Sequence, residues 1–415
     1  MNLDVEREAV TRVPPSAQLL PYGRQSIDED DVVAVVRALT GEMLTQGPTV
    51  ARFEEAIAER CGAPYCVAVA SGTAALHLAS MVAGVRAGGG GVTSDVTFVA
   101  SANGIRYAGG DVALADVDPD TGLASAAALD EALDRLVARG VKPDVIVPVD
   151  YAGQPADLPA IAELAARRGV RVIEDAAHAL GARYRHAGRT HRAGSCAHSD
   201  LAILSFHPVK HITTLEGGAV LTRDEGAYRE LLSLRSHGIE RDAVKLSRCD
   251  GPWYYEQQAL GFHYRISDVA CALGLSQLDK LSRFLEARRL LAARYDEGLT
   301  ELAHLCRPLG RGPLPSRSAH HLYVVRLTER DGESLDDVAD RRRRLYEHLR
   351  AQRIAAQVHY VPVHRHPDLR RFVDADQRFP GAERFYAGCL SLPLFPAMRS
   401  GDVDRVLGAL ASFGA

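Results

Sequence analysis

Between residues 65 and 222 the chain repeats one alternation: a short apolar run, a turn, then an amphipathic helical stretch. "YCVAVA" precedes "TAALHLASMVAG", "DVALADVD" precedes "AAALDEALDRLVARG", and "DVIVPVD" precedes "LPAIAELAARRG"; "VRVIEDAA", "DLAILSF" and "GAVLT" follow. Successive strands joined through helices run parallel, and a parallel sheet covered on both faces reads as continuous apolar runs. The pattern predicts an α/β domain built on a large, mostly parallel sheet. Two helices are expected before it. One starts at Ser26, with Glu29 at capping-box spacing; the other, "TVARFEEAIAERCG", stops at Gly62. From about residue 267 the rhythm changes. A long helical stretch, a strand in "HLYVVRL", a helix, a strand in "AAQVHYV" and two more helices make a smaller α/β unit. The expected division is a loose N-terminal arm over 1–20, a large domain over 21–280 and a small C-terminal domain over 281–415.

Composition narrows the function classes. The formal charge is −4, which supplies no field to gather nucleic acid or an acidic membrane. Seven cysteines, an odd number with no CxxC pair, read as reduced thiols of a cytoplasmic protein. The start, "MNLDVEREAV", lacks the apolar core of a signal peptide, and no apolar run reaches the roughly 18 residues of a membrane span. "DRRRRLYEHLR" (340–350) is the one dense basic run, expected as a solvated helix face, with a phosphate contact as the sharper alternative.

Only four of the 49 basic side chains are lysine. Lys142, Lys245 and Lys280 sit in polar loops or on an amphipathic helix and read as exposed charge. Lys210 follows an apolar strand in "SFHPVKHITTLEGGAV". Strand ends of open α/β sheets are where ligands bind, and a lysine desolvated there becomes a nucleophile toward carbonyls. A structural lysine is the competing reading. Three further stretches weigh against it. Ser71, Gly72 and Thr73 form a turn between a strand and a helix, a place for a phosphate on free N–H groups. "VRVIEDAAHALGA" puts Glu174 and Asp175 at the end of an apolar strand, where a carboxylate calls for a cationic partner. The pyridinium nitrogen of pyridoxal 5′-phosphate (PLP) is such a partner. Ser205 can reach the same phosphate as the 71–73 turn. Phosphate turn, strand-end Asp and strand-end Lys together specify PLP better than any one of them. "HRHPD" (364–368) tempts as a metal site, but no cysteine or carboxylate cluster accompanies it and no metal is expected. Of the histidines flanking Lys210, His207 is expected to pack and His211 to line the pocket mouth.

From "PYGRQSIDEDD" to "SLPLFP" these features resemble the DegT-type nucleotide-sugar aminotransferases, which have the aspartate-aminotransferase fold, PLP fold type I. "SFHPVKHIT", "GPWYYEQ" and "QVHYVPVH" are most similar to the pseudaminic-acid branch, whose product is UDP-4-amino-4,6-dideoxy-N-acetyl-β-L-altrosamine. The resemblance implies amination at C4 of a UDP-linked 4-keto-6-deoxy-N-acetyl sugar with L-glutamate as donor, in a cytoplasmic homodimer with shared active sites. It implies that Lys210 forms the Schiff base and shuttles the proton, that Asp175 keeps the ring nitrogen protonated, and that His178 lies near the ring's 3-oxygen. Phe98 would stack on the ring, and Ser71, Gly72, Thr73 and Ser205 would hold the phosphate. Tyr22, the segment Glu42, Met43, Leu44 and Thr45, and His359 with Tyr360 stand at substrate positions. Two places depart from the pattern. His263 in "GFHYRIS" replaces an Asn that reaches the neighbouring subunit's phosphate. "GGGGVTSD" replaces "GDEVI" ahead of the loop that carries Phe98, which is expected to displace that loop. Other functions stay open: another keto nucleotide sugar or a keto-cyclitol as substrate, a PLP-binding regulator without turnover, or a dehydratase of this scaffold, which would carry His where Lys210 stands.

Overall fold

In the computed structural model, which describes residues 18–413, the alternating stretch forms one seven-stranded sheet. The order across it is Tyr65–Val69, Gly218–Thr222, Leu201–Ser205, Arg171–Asp175, Lys142–Val147, Gly89–Ser94, Asp111–Ala115. Gly218–Thr222 runs antiparallel to both neighbours; the remaining pairings are parallel. Val67, Val145, Ile146, Ile173, Leu201 and Ile203 are fully buried, as strands covered on both faces by helices must be. The register brings the functional strand ends together. Asp175 pairs with Ile203, Ser205 with Gly218, and Gly218 with Val69, two residues before Ser71.

The glycine run ahead of the Phe98 loop, Gly89–Ser94, is a fully buried strand between Lys142–Val147 and Asp111–Ala115. A Cβ on Gly89 would run into the Asp144 carboxylate; one on Gly90 would lie 2.5 Å from the Asp111 carbonyl oxygen, and one on Gly91 2.5 Å from Val145 Cγ1. The neighbouring chains approach too closely for side chains, so glycine is the residue that lets this strand in. Phe98 then follows directly from a strand end.

The first helix starts later than expected, at Glu29, capped by Asp28 and Asp31 rather than by Ser26 and Glu29. The reason lies across the chain. Lys280 pairs with Asp28 and, at 2.8 Å, with Asp31, while Gln277 Nε2 donates to Asp31 at 2.8 Å and to the Ser26 carbonyl at 2.9 Å. Lys280 is therefore no solvated charge but a tie between the first helix and the long helix Asp268–Leu299. The helix Pro48–Cys61 ends at Gly62 with φ of 81°, as expected.

The long helix serves two apolar clusters. Leu281 packs with Phe53, Phe206 and Ile212, whereas Leu291, Tyr295 and Leu299 pack with Val325, Leu345, Leu390, Val406 and Leu410. The second cluster also takes in Leu20, whose N–H donates to the Arg353 carbonyl at 2.9 Å and whose carbonyl accepts from Ala355 at 2.8 Å. The end of the expected arm is thus docked; its residues 1–17 lie outside the described residues. "AAQVHYV" is not a strand. Only Gln357 pairs, with Ser391, because His359 and Tyr360 turn inward to other partners. The strand there is Cys389–Leu392, in a three-stranded sheet with Tyr323–Leu327 and Cys306–Pro308. The basic run is also only partly solvated. Arg341 is buried against Glu333 at 2.6 Å and Arg342 lies over the Tyr386 ring at 4.8 Å. No helix among the described residues is long and apolar enough to cross a membrane.

The crowding at the glycine strand gives a measurable contrast. Gly91→Ala should cost about 1–3 kcal/mol in denaturant unfolding by overpacking. Gly408→Ala, in a helix where a Cβ meets nothing within 4 Å, should gain about 0.5–1 kcal/mol. Equal effects of the two would remove the crowding argument.

Candidate functional site

The site sits at the carboxyl ends of the central strands, where backbone geometry first makes a cup. Ser71 caps the helix Gly72–Val82, its Oγ accepting from the Ala74 N–H at 3.1 Å. The N–H groups of Gly72 and Thr73, first in that helix, have no intrahelical partner and point outward with the positive end of the helix dipole. A Cβ on Gly72 would come within 3.0 Å of Ser205 Cβ, and one on Gly218 within 2.5 Å of the Ser71 carbonyl oxygen. Glycine at both places lets the Ser205 hydroxyl stand beside the free N–H groups. Two N–H groups and hydroxyls in this arrangement suit a phosphate.

Asp175 ends the strand Arg171–Asp175 and is almost fully buried. Its carboxylate accepts from Ser101 Oγ at 2.6 Å and from the Ala177 N–H at 3.2 Å. Burial pushes its pKa up, against the pull of those two bonds and of the Lys210 charge. Lys210 is half-buried in the turn after Leu201–Ser205, where its N–H donates to the His207 carbonyl at 2.8 Å. Desolvation brings its ammonium down to about 8, with the Asp175 charge holding it from falling further. Behind them lies a second carboxyl pair. Burial and the adjacent Glu174 charge push Asp150 well up, so Asp150 keeps its proton and shares it with Glu174, which also accepts from Gly194 N–H at 2.9 Å. Glu174 is thus satisfied within the fold, which leaves Asp175 as the carboxylate toward the pocket.

A wall of rings faces Lys210. Tyr360 Oη and His178 Nε2 are 3.0 Å apart, and His359 Nδ1 lies 2.8 Å from Ser391 Oγ. Tyr22 packs 5.2 Å from the His359 ring and Phe98 6.0 Å from the Tyr360 ring, centroid to centroid. Burial depresses the histidines: His178 well below the usual range and His359 to about 3, with Lys210 adding to both shifts. Both are neutral at physiological pH. Among the described groups facing the pocket, Lys210 is thus brought toward neutrality, while Glu174 behind them is pushed up to about 7 by burial. Nδ1 of His178 is buried without a protein partner.

The two histidines beside the lysine are reversed from expectation. His207 is exposed, and His211 is buried, with Nε2 3.1 Å from the Ala319 carbonyl oxygen. His211 packs because the chain turns back at 208–212 to place Ile212 in the core. Two residues went unnoticed in the sequence. Ser101 orients Asp175, and its only signal is its place as the second residue of the helix Ala100–Tyr107 that follows Phe98. His321 is buried with its ring 4.3 Å from that of His178; "HLYVVRL" reads as a strand start and carries no chemical mark. Two further groups of predicted site residues lie on the surface of this chain. His263 is exposed, stacked on His237 at 5.4 Å. Glu42, Met43, Leu44 and Thr45 are exposed, and their backbone pairs with Ser267 and Asp268.

A sequence profile of the DegT/DnrJ/EryC1/StrS aminotransferase family matches residues 25–411. The chain belongs to this family. It is 34% identical to the UDP-4-amino-4,6-dideoxy-N-acetyl-beta-L-altrosamine transaminase of Campylobacter jejuni, over 95% of this chain and 97% of that protein. Among solved structures, Helicobacter pylori PseC, an aminotransferase involved in the biosynthesis of pseudoaminic acid, superposes with a TM-score of 0.83 at 27% identity, covering 95% of this chain and 99% of that one. The PLP form of the Streptococcus pneumoniae putative sugar aminotransferase Spr1654 superposes with 0.82 at 25% identity, covering 94% and 97%. The seven-stranded sheet is thus the type I fold of the PLP aminotransferases, and the family is one of sugar transaminases.

In this aminotransferase the depressed Lys210 ammonium is directly testable without cofactor. At pH 7 a pKa of about 8 leaves about a tenth of the amine unprotonated, against roughly 0.04% for an ordinary lysine near 10.4. Competitive reductive methylation of the cofactor-free protein at pH 7 should label Lys210 well ahead of the exposed Lys142. Asp175→Asn removes the negative charge that raises the Lys210 pKa and should lower it further. A Lys210 that titrates with Lys142 would contradict the desolvation argument.

Proposed function

We propose that this chain is a PLP-dependent aminotransferase that moves the amino group of L-glutamate to C4 of a UDP-linked 4-keto-6-deoxy-N-acetyl sugar, as in pseudaminic acid biosynthesis. The observation that carries the reading is a desolvated amine, Lys210, beside a buried carboxylate, Asp175, at the mouth of a glycine-walled cup of free N–H groups. Several orphan features fit PLP. The cup matches its phosphate, the Asp175 carboxylate its ring nitrogen, and the unpartnered Nδ1 of buried His178 its 3-oxygen. The PLP form of the Spr1654 aminotransferase, on the same fold, supports the assignment.

When bound, the cofactor supplies an aldehyde carbon for the lysine amine and a ring that takes up the electron pair released at the reacting carbon. The protein's part is to hold and time protons. Asp175, fixed by Ser101 and the Ala177 N–H, keeps a proton on the ring nitrogen, and the dry surroundings strengthen that interaction. Lys210 Nζ, with its pKa near working pH, can accept a proton at one carbon and return it at another. Phe98 would cover one face of the cofactor ring, and Gly72, Thr73 and Ser205 would hold its phosphate end. Tyr22, His359 and Tyr360 would form the substrate wall, and both His359 and the adjoining His178 stay neutral, so neither competes for the proton.

The reading includes a homodimer. Glu42 to Thr45 and His263 are exposed in their own chain. Residues that complete a neighbouring subunit's site are placed in this way, and His263 can donate to the partner's phosphate. The C4 keto sugar rests on the likeness to the Campylobacter jejuni transaminase.

Asp175→Asn tests the chemical core. The amide still accepts from Ser101, so folding and cofactor uptake should survive, but it no longer holds the ring nitrogen protonated. Turnover with L-glutamate and a panel of keto nucleotide sugars should fall at least roughly 100-fold, about 2.7 kcal/mol of barrier. Activity within threefold of wild type would count decisively against the role. The shared site has its own check in a mixed dimer of Lys210→Ala and His263→Asp chains. One site inherits both defects and the other neither, so about half the wild-type activity should return. Activity near the sum of the two mutants, or sedimentation as a monomer, would refute the shared site.

A further inference from the structure

The histidine of "PVHRHPD" that invited a metal reading is instead held between two carboxylates. His364 Nδ1 lies 2.6 Å from Asp95 Oδ2 and Nε2 lies 2.8 Å from Glu383 Oε1. Its backbone N–H donates to the second Asp95 oxygen at 2.8 Å, and the Val363 N–H donates to the Asp95 carbonyl at 2.9 Å. The ring stacks on Phe379 at 4.5 Å, nearly coplanar. A neutral imidazole donates from one nitrogen only, so two carboxylate partners require the imidazolium. Burial alone would lower the His364 pKa, but Asp95 and Glu383 outweigh it and the pKa is raised. Asp95 itself is fully buried, so this is a built ion cluster and not a surface pair.

What the cluster joins is more telling than its strength. Asp95 directly follows the strand Gly89–Ser94 and stands three residues before Phe98. His364 stands four residues after Tyr360. Glu383 lies on the helix Pro380–Gly388 of the C-terminal part. One ring therefore ties together the segment that carries Phe98, the segment that carries His359 and Tyr360, and a helix behind both. Phe98 and Tyr360 pack with their rings tilted, centroids 6.0 Å apart and planes 51° apart. Neither segment is regular structure at this point, so hydrogen bonds within a sheet do not fix their separation.

We propose that His364 is a positioning residue: held by Asp95 and Glu383, it fixes the segments that carry Phe98 and Tyr360 relative to each other, and so the place of the two rings that would border the cofactor and the sugar. The inference rests on the aminotransferase reading of the site. The groups that face the imidazole are Asp95, Glu383 and, through Glu383, Arg365; Asp116 faces Asp95 from behind, its oxygens taken by the Gly381 and Ala382 N–H groups. A raised folded pKa carries the imidazolium to higher pH than a free histidine's, and the clamp loosens as pH rises through that value; on the acid side it loosens as the buried Asp95, whose own pKa is raised, takes up a proton. His364→Gln carries no ionisable ring and loses the dependence on the basic side.

The test uses the PLP-loaded enzyme and L-glutamate, with His364→Gln, Asp95→Asn and the double variant. The readouts are the visible circular dichroism of the bound cofactor per unit absorbance, and the rate at which glutamate bleaches its visible band. Each single variant should bind PLP but lose at least half of the dichroism and slow the bleaching at least roughly fivefold, since small misplacements of a reacting group are costly. The double variant should be no worse than the worse single within twofold, because both remove one clamp. The wild-type rate should carry a basic limb that His364→Gln lacks. Glu383→Gln, which spares the buried Asp95, provides the same readouts if His364→Gln does not accumulate as folded protein. Variants within twofold of wild type, or effects that multiply in the double variant, overturn the positioning role alone. A wild type with no glutamate-sensitive visible band overturns the aminotransferase reading and the inference with it.

Discussion

The pocket depends on keeping water away from one amine and one carboxylate. Asp175 ends one strand and Lys210 lies in the turn that follows its neighbour Leu201–Ser205, close enough to interact and too enclosed to be fully solvated. Desolvation disfavours the charged form of each, so the amine falls toward neutrality and the carboxyl rises. Each charge opposes the other's shift. The result is a lysine poised as nucleophile and base, next to a carboxylate in need of a cation. The surrounding histidines suffer the same desolvation with no negative partner, and they stay neutral.

That arrangement is a product of the sheet. Parallel strands deliver their carboxyl ends to one edge. Glycine then decides how closely the delivered segments approach. Gly72 and Gly218 let the Ser71 turn meet Ser205, and the run from Gly89 to Gly91 lets a strand pass between two neighbours on its way to Phe98. The small C-terminal sheet and the helix Pro380–Gly388 work from the other side, through Ser391 on His359 and Glu383 on His364. The pocket is thus closed in part by residues far apart in the chain, His178 with Tyr360 across 182 positions and Asp95 with His364 across 269.

Much of this was legible in the sequence because it follows from local pattern. Alternating apolar runs announced the sheet, Gly62 announced a helix end, and the rarity of lysine drew the eye to Lys210. What escaped depends on contacts between distant segments. No periodicity marks "GGGVTS" as a strand, since its glycines answer to Asp111, Asp144 and Val145 across the sheet. The Asp28 cap answers to Lys280, about 250 residues away. His364 looked like a spare metal ligand because its partners, Asp95 and Glu383, lie in other segments. His207 and His211 were exchanged because a tight turn hides which side of the chain faces the core.

The central claim is that Lys210, alone of the four lysines, carries the cofactor. It is tested most directly by reducing the PLP-loaded protein with borohydride and mapping the modified peptide. The account predicts one pyridoxyl group per chain, on the peptide that contains "SFHPVKHITTLEGGAV". A pyridoxyl group on Lys142, Lys245 or Lys280 in place of Lys210, or no reducible adduct at saturating PLP, would contradict it.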